Sequence, residues 1–224
     1  MVVTRHSPAV QDYLKGIYAL SIEAPGRPVP TSALAERLAV TPASATNMLK
    51  KLAQMGLVEH ANYRGAVLTE PGTKIALEVI RHHRLLETYL AEALGVPWDE
   101  VHAEAEILEH VLSEELEERI AARLGYPTAD PHGHPIPSKD GSMPDHSEQR
   151  LWEAGEGSRV AVDRVSDSEA EALRYLGSIG ILPGADLEIV GRGPVAGPLY
   201  VKVAGSDGDV HALSKELAEA VWVA

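Results

Sequence analysis

Proline divides the first quarter of the chain into short helices whose starting points have little freedom. Ser7-Pro8, Pro30-Thr31 and Thr41-Pro42 each pair a proline with a hydroxyl residue. In the first and third the hydroxyl stands where an N-cap belongs. The proline follows at the first helical position, where its missing N–H has no partner to lose. Val10, Tyr13, Leu14, Ile17 and Tyr18 recur at helical spacing, and Ala24-Pro25-Gly26 ends that helix. Leu34, Ala35 and Leu38 mark a short second helix, Ala39-Val40 a turn, and a third helix from Ala43 to Met55 closes at Gly56. Two short helices across a tight turn predict a helix-turn-helix. The front of the third helix presents Ser44, Thr46, Asn47, Lys50 and Lys51. These are short hydrogen-bonding side chains able to approach base edges, followed by cations for phosphates. Leu57–His60 and Val67–Thr69 read as strands joined through Asn62-Tyr63-Arg64-Gly65, which puts Arg64 at a hairpin tip beside DNA. An inert helical hairpin would share the helix pattern but has no need of this wing.

Beyond the wing, Glu70-Pro71-Gly72 starts a long helix that runs to Leu94 and stops at Gly95. His83 and Glu87 stand four residues apart on it, a spacing that lets both reach one ion. The next helical run, from Pro97 to about Leu112, carries His102, Glu106, Glu109 and His110 within an arc of about 100°. Two carboxylates and two imidazoles so close repel one another unless a cation lies among them, and a divalent metal would serve. A solvated acidic helix face is the plainer alternative. Ser113 caps a further acidic helix to Leu124, closed by Gly125-Tyr126-Pro127.

The charge distribution agrees with two different tasks. Residues 1–75 hold 8 Lys/Arg against 5 Asp/Glu, whereas the remainder hold 12 against 28, within a net charge of −13. A mildly basic head on an acidic body fits a DNA-binding module joined to a cation-binding one. The chain has no cysteine, which excludes disulfides and thiolate ligands, and no apolar run long enough to cross a bilayer. With no recognisable signal peptide, a cytoplasmic location is expected. Residues 127–150, rich in Pro, Gly, Ser, Asp and His, read as an unpacked linker; His132, His134 and His146 could bind zinc, but without cysteine or carboxylate spacing they read as loop histidines. From Gly157 the texture becomes β: Ser158–Val165, Asp186–Gly191, Leu199–Val203 and Val210–Leu213, interrupted by a helical run at Asp167–Leu176. That pattern predicts a small barrel of about 70 residues, near the lower size for independent folding.

Five stretches together resemble the diphtheria-toxin-repressor and manganese-transport-regulator family. They are Asp12-Tyr-Leu-Lys-Gly-Ile-Tyr18, Ala35-Glu-Arg-Leu-Ala-Val40, His83-Arg-Leu-Leu-Glu87, Val101 through His110, and Pro131-His-Gly-His-Pro-Ile-Pro137. The resemblance implies a mainly α chain with small β parts. Residues 1–75 would form a winged helix-turn-helix, 76–126 a helical metal-binding and dimerisation domain, 127–150 a linker, and 151–224 an SH3-like (FeoA-like) barrel. It implies Asp12, Glu106, Glu109 and His110 around a primary metal, and His83, Glu87 and His102 around an ancillary one. Glu169, or Glu171, would be the barrel's added donor. Members lacking the barrel can pair two ions through a second acid on helix one; the position here is Lys15, which favours separated sites. With carboxylates where the iron-selective branch usually has sulfur, Mn²⁺ is the expected cofactor and Fe²⁺ the next. The implied function is a homodimeric, metal-activated repressor of metal-uptake genes, bound to palindromic operator DNA. A carboxylate/His metalloenzyme, or a winged-helix regulator whose barrel takes an organic effector, are the rival classes.

Overall fold

A computed structural model describes residues 6–61, 65–195, 197–205 and 208–224. The chain divides into two compact units. One comprises Met1–His83, Leu108–Leu112 and Pro137–Ser142; the other comprises Arg84–Ile107, Ser113–Ile136 and Met143–Ala224.

In the first unit, helix α1 (Pro8–Glu23) follows Ser7, whose extended backbone turns the chain into the helix ahead of Pro8. Its Val10, Tyr13, Leu14 and Ile17 are buried at the spacing of one helical face. Helix α2 (Thr31–Arg37) and helix α3 (Pro42–Gln54) flank a reversal at Ala39, which takes a positive φ of 50°. Thr41 caps α3, its hydroxyl accepting from the Ser44 amide at 3.2 Å. Leu14, Ile17, Leu34, Leu49 and Leu52 are fully buried and form the centre of this core. Strands β1 (Val58–Ala61) and β2 (Gly65–Leu68) pair antiparallel, with Glu59 opposite Val67. Val29 adds a bridge to Ala66 through two backbone hydrogen bonds of 2.8 and 2.9 Å. These elements make a winged helix-turn-helix. Helix α4 (Glu70–Leu94) follows with the predicted bounds.

Helix α5 (Val101–Leu108) is shorter than the sequence pattern predicts. Ser113 has extended backbone angles and caps helix α6 (Glu114–Arg123) by accepting from the Leu116 amide. A residue committed to that cap cannot also continue α5, so the chain leaves helical geometry at Glu109 and His110.

The second unit also holds the C-terminal sheet. Strand β3 (Arg159–Val165) is followed by helix α7 (Ala170–Ser178) and then β4 (Asp186–Arg192), β5 (Leu199–Val203) and β6 (Val210–Leu213). Helix α8 (Lys215–Glu219) and strand β7 (Val221–Val223) complete it. The order is β6-β5-β4-β3-β7, with every pair antiparallel. Strand β3 pairs with β4 through Arg159–Ala161 and with β7 through Val162–Val165, and register shifts interrupt β3/β7 and β4/β5. Such bulges bend a small sheet toward closure over one core. Leu173, Leu176, Leu187, Ile189, Leu199 and Val201 fill it.

The expectation of an unpacked linker fails for its first third. Residues 128–136 form a closed strap: Ile136 N–H donates to Thr128 O at 2.8 Å, and the Asp130 carboxylate accepts from the amides of His132 and His134 at 2.8 and 3.0 Å. His132 is fully buried and Ile136 nearly so. Two physical reasons account for it. Pro131 and Pro135 have no N–H to satisfy, which lowers the cost of burying this backbone. Gly133, at φ 87°, lies where a Cβ would stand 2.2 Å from the Asp163 carbonyl, so only glycine lets the strap lie against β3.

Candidate metal centres and DNA-facing helix

The first unit brings together three of the residues expected to bind metal. His110 Nε2 stands 2.9 Å from Asp12 Oδ1 on α1 and 3.5 Å from Glu109 Oε1. Ligand atoms of these three side chains lie within 4.8 Å of one another. His110 Nδ1 is 2.7 Å from Gln11 Oε1, an oxygen that can only accept, so Nδ1 carries a proton and Nε2 is the nitrogen aimed at the carboxylates. A second-sphere acceptor that fixes an imidazole in this way is characteristic of histidine metal ligands.

Glu109 is the hub. Its side chain is wholly buried, and Lys15 Nζ lies 2.9 and 2.8 Å from its two oxygens. His83 Nδ1 approaches Oε2 at 2.5 Å, and His82 Nδ1 is 3.2 Å from the Glu109 carbonyl. Burial alone would push the Glu109 carboxyl up. The hydrogen bond from His83 and the charge of Lys15 outweigh it, and the group is held below the usual glutamate range. His83, expected in the ancillary set, makes this contact with Glu109 within this unit.

The second unit contains a separate donor set. His102 Nδ1 stands 3.1 Å from Glu87 Oε1 and 3.4 Å from Asp167 Oδ2, and His102 Nε2 is 3.8 Å from Glu106 Oε1. Glu87 is buried, whereas Glu106 is exposed. The barrel acid that meets His102 is neither of the two read from the sequence. Glu169 is the exposed N-cap of α7 and Glu171 is exposed in its first turn, while Asp167, on the segment leaving β3, is the acid within reach of His102. The strap lies beside this set: His132 Nδ1 is 3.8 Å from Glu87 Oε2 and 3.9 Å from Asp130 Oδ1, and His134 Nδ1 is 3.8 Å from Asp167 Oδ2.

His132 Nε2 donates to the Trp98 carbonyl at 2.7 Å, and the two rings stack with centroids 5.7 Å apart. That fixes Nδ1 toward the carboxylates, yet Nδ1 makes no hydrogen bond among the described residues, and neither does Asp130 Oδ2. Buried polar atoms in that condition are costly unless a further group binds them. The donors are carboxylate oxygens and imidazole nitrogens, with no sulfur available, and they fit a hard or borderline divalent cation. In the metal-free protein the imidazoles take the cationic part. Hydrogen bonds to Asp167 and Glu87 push His102 up to about 10. Burial pulls His132 down, but Glu87 and Asp130 reverse this and raise it to about 9. Burial drives Asp167 up, but the hydrogen bond to His102 and the charges of His134 and His102 together outweigh it, and the group ends below the usual aspartate range.

On α3, Ser44, Asn47, Lys50 and Lys51 are exposed. Thr46 does not share their position: it is half-buried and its hydroxyl donates to the Pro42 carbonyl at 2.8 Å, a back-bond one helical turn away. Ser44 is tied to the cap, with its hydroxyl 2.9 Å from that of Thr41. Arg64 lies outside the described residues. Asp167, the strap residues Asp130 and His132, and Gln11 are absent from the sequence-based assignment. Only the His-Gly-His spacing of the strap carried a signal.

Three family profiles span the chain. Residues 6–66 match "Iron dependent repressor, N-terminal DNA binding domain", residues 69–138 "Iron dependent repressor, metal binding and dimerisation domain", and residues 149–224 "FeoA domain". The iron-dependent repressor IdeR of Mycobacterium leprae is 34% identical over 224 aligned residues, covering 94% of this chain and 94% of that protein. The HTH-type transcriptional regulator MntR of Oceanobacillus iheyensis is 38% identical over 54% of this chain and 80% of its own length. A solved structure described as a manganese-dependent transcriptional repressor in complex with manganese superposes with a TM-score of 0.89 and 43% identity, covering 96% of this chain and 98% of that one.

Proposed function

The chain belongs to the iron-dependent repressor family, and from that membership we propose that it is a DNA-binding transcriptional repressor activated by a divalent cation. Mn²⁺ is the assigned co-effector and Fe²⁺ the second choice, because the donors are oxygen and imidazole nitrogen without sulfur. The observation that carries the reading is the meeting of Asp12, on the first helix of the winged module, with Glu109 and His110.

Asp12, Glu109 and His110 would hold the first cation; Glu87, His102 and Asp167, with Asp130, His132 and His134 of the strap beside them, would hold the second. A cation bound there supplies positive charge that neutralises neighbouring carboxylates and ties their parent segments together. Asp12 is the element of this set that reports to the DNA-binding module: its position on α1 fixes that helix, and α1 packs on the core that orients α3. Asn47 and Ser44 face the bases and Lys50 and Lys51 the phosphates. Exposed Leu94, Ile107 and Leu116 supply apolar surface for a twofold partner, which makes a palindromic operator the matching target. No helix among the described residues is long and apolar enough to cross a membrane. The second reading, an iron-responsive repressor, rests on the identity to IdeR.

The test is selection of bound sequences from a random duplex library, followed by fluorescence anisotropy at fixed salt. Tight binding with Mn²⁺, abolished by a chelator, is expected. Equal affinity with and without the ion would refute metal activation, and stronger activation by anaerobic Fe²⁺ would replace manganese by iron.

A further inference from the structure

We propose that the Lys15 ammonium is a tethered counter-cation of the first donor set, one that holds Glu109 in the metal-free protein and opposes an arriving divalent ion. The proposal rests on the metal-binding reading of Asp12, Glu109 and His110 and concerns the regulation of that site.

The geometry is that of a cation already seated. Lys15 Nζ contacts both oxygens of Glu109, at 2.9 and 2.8 Å, and lies 3.4 Å from His83 Nδ1. The Glu109 side chain has no exposed surface, whereas Lys15 keeps 21% of its own. A carboxylate so placed cannot stay ionised in a dry site without a positive partner. Lys15 meets that need from α1, three residues after Asp12 and so on the same face of the helix. One helix thus delivers both a ligand and a competitor to the same carboxylate. Glu109 Oε1 stands 3.5 Å from His110 Nε2 and 2.9 Å from Lys15 Nζ, so the oxygen that a metal would need is the one the ammonium already holds.

Two consequences with opposite signs follow. Without metal, Lys15 pins α1 to the Glu109 turn and stabilises the unit. Toward metal, its charge repels a divalent ion and its hydrogen bonds must be given up or shared, so it weakens binding. A residue with a purely structural role would lower both properties when removed.

The test uses the full-length protein and Mn²⁺ alone as titrant. In K15M, hydrogen exchange of the α1 amides in chelator should accelerate, while calorimetry should show Mn²⁺ binding roughly tenfold or more tighter, on the scale of a close charge contact. The gain should vanish when His110→Ala is added, which locates it at the first set. K15R retains the charge and should keep α1 protection with near-normal affinity. Should K15M fail to fold, K15Q, which retains a donor for Glu109, carries the same expected sign. Wild-type protein that binds Mn²⁺ together with a variant that binds it equally or more weakly would overturn the role of Lys15 alone. Wild-type protein that binds no Mn²⁺ would overturn the metal reading and this inference with it.

Discussion

Asp167→Ala separates the acids read from the sequence from the acid that meets His102. Asp167 Oδ2 lies 3.4 Å from His102 Nδ1, with a quarter of the side chain exposed, and this contact is the largest contribution holding His102 at about 10. A hydrogen bond between charged groups contributes about 1.5–3 kcal/mol. Partial exposure lowers that to roughly 1–2 kcal/mol. In the metal-free variant His102 should therefore titrate about one pH unit lower than in the parent, since 1.36 kcal/mol corresponds to one unit. Glu87 remains to keep it above its ordinary value. Loss of one carboxylate from the second set should also weaken Mn²⁺ binding there by roughly 10- to 100-fold, the scale seen even for outer-shell partners. Imidazole proton resonances followed against pH measure the first effect and calorimetry the second. Glu169→Ala and Glu171→Ala serve as controls and should match the parent. The reasoning is refuted if His102 titrates unchanged in Asp167→Ala, or if Glu169→Ala weakens binding as much.

On the DNA side, Asn47→Ala should cost about 1–3 kcal/mol on the selected operator and relax the preference at one position, whereas Lys50→Ala should weaken all sequences alike and reduce the salt slope by about 1. Anisotropy at several salt concentrations distinguishes them, and identical behaviour would remove the division between base and phosphate contacts. The metal-free protein should lose stability in alkali. His102 and His132 have folded values of about 10 and about 9 against an ordinary value near 6.5. Their contribution is complete below about 6.5 and disappears as pH rises through 9 to 10. Denaturant midpoints measured in chelator should fall between pH 7 and 10, and a rise would contradict the assignment of charged imidazoles.

The helices and strands were legible wherever a local signal fixed them. Thr41-Pro42, Ser113 and Gly95 mark their termini through side-chain caps or backbone freedom, and Leu199–Val203 and Val210–Leu213 were bounded by turn residues. Helix α8 and strand β7 gave too short a pattern, at five and three residues. The site was legible only in part, for a different reason. Spacing on one helix predicts which side chains share a face, but α5 ends at Leu108, so Glu109 and His110 reach their partners from a turn. Asp167 and Glu169 are two residues apart and chemically alike; which one meets His102 depends on where β3 releases the chain. The strap was hidden by its composition. A segment rich in Pro and Gly ordinarily signals a loop, yet here those residues are what allow close burial against β3.

The two donor sets solve one electrostatic problem with different cations. Glu87, Asp130 and Asp167 are balanced in the metal-free protein by protons on His102 and His132. A metal entering that set competes with solvent protons, so its affinity should climb with pH and its binding should release them. Glu109 is balanced chiefly by Lys15 and His83. A metal entering there competes also with a charge that cannot diffuse away, whose local concentration is fixed by the fold. On the proposed role of Lys15, the second set would be tuned by the medium, whereas the threshold of the first would be built into α1. Because Asp12 and Lys15 lie one turn apart on that helix, the proposed ligand and its proposed competitor would set the response of the DNA-binding module to metal from the same turn of α1.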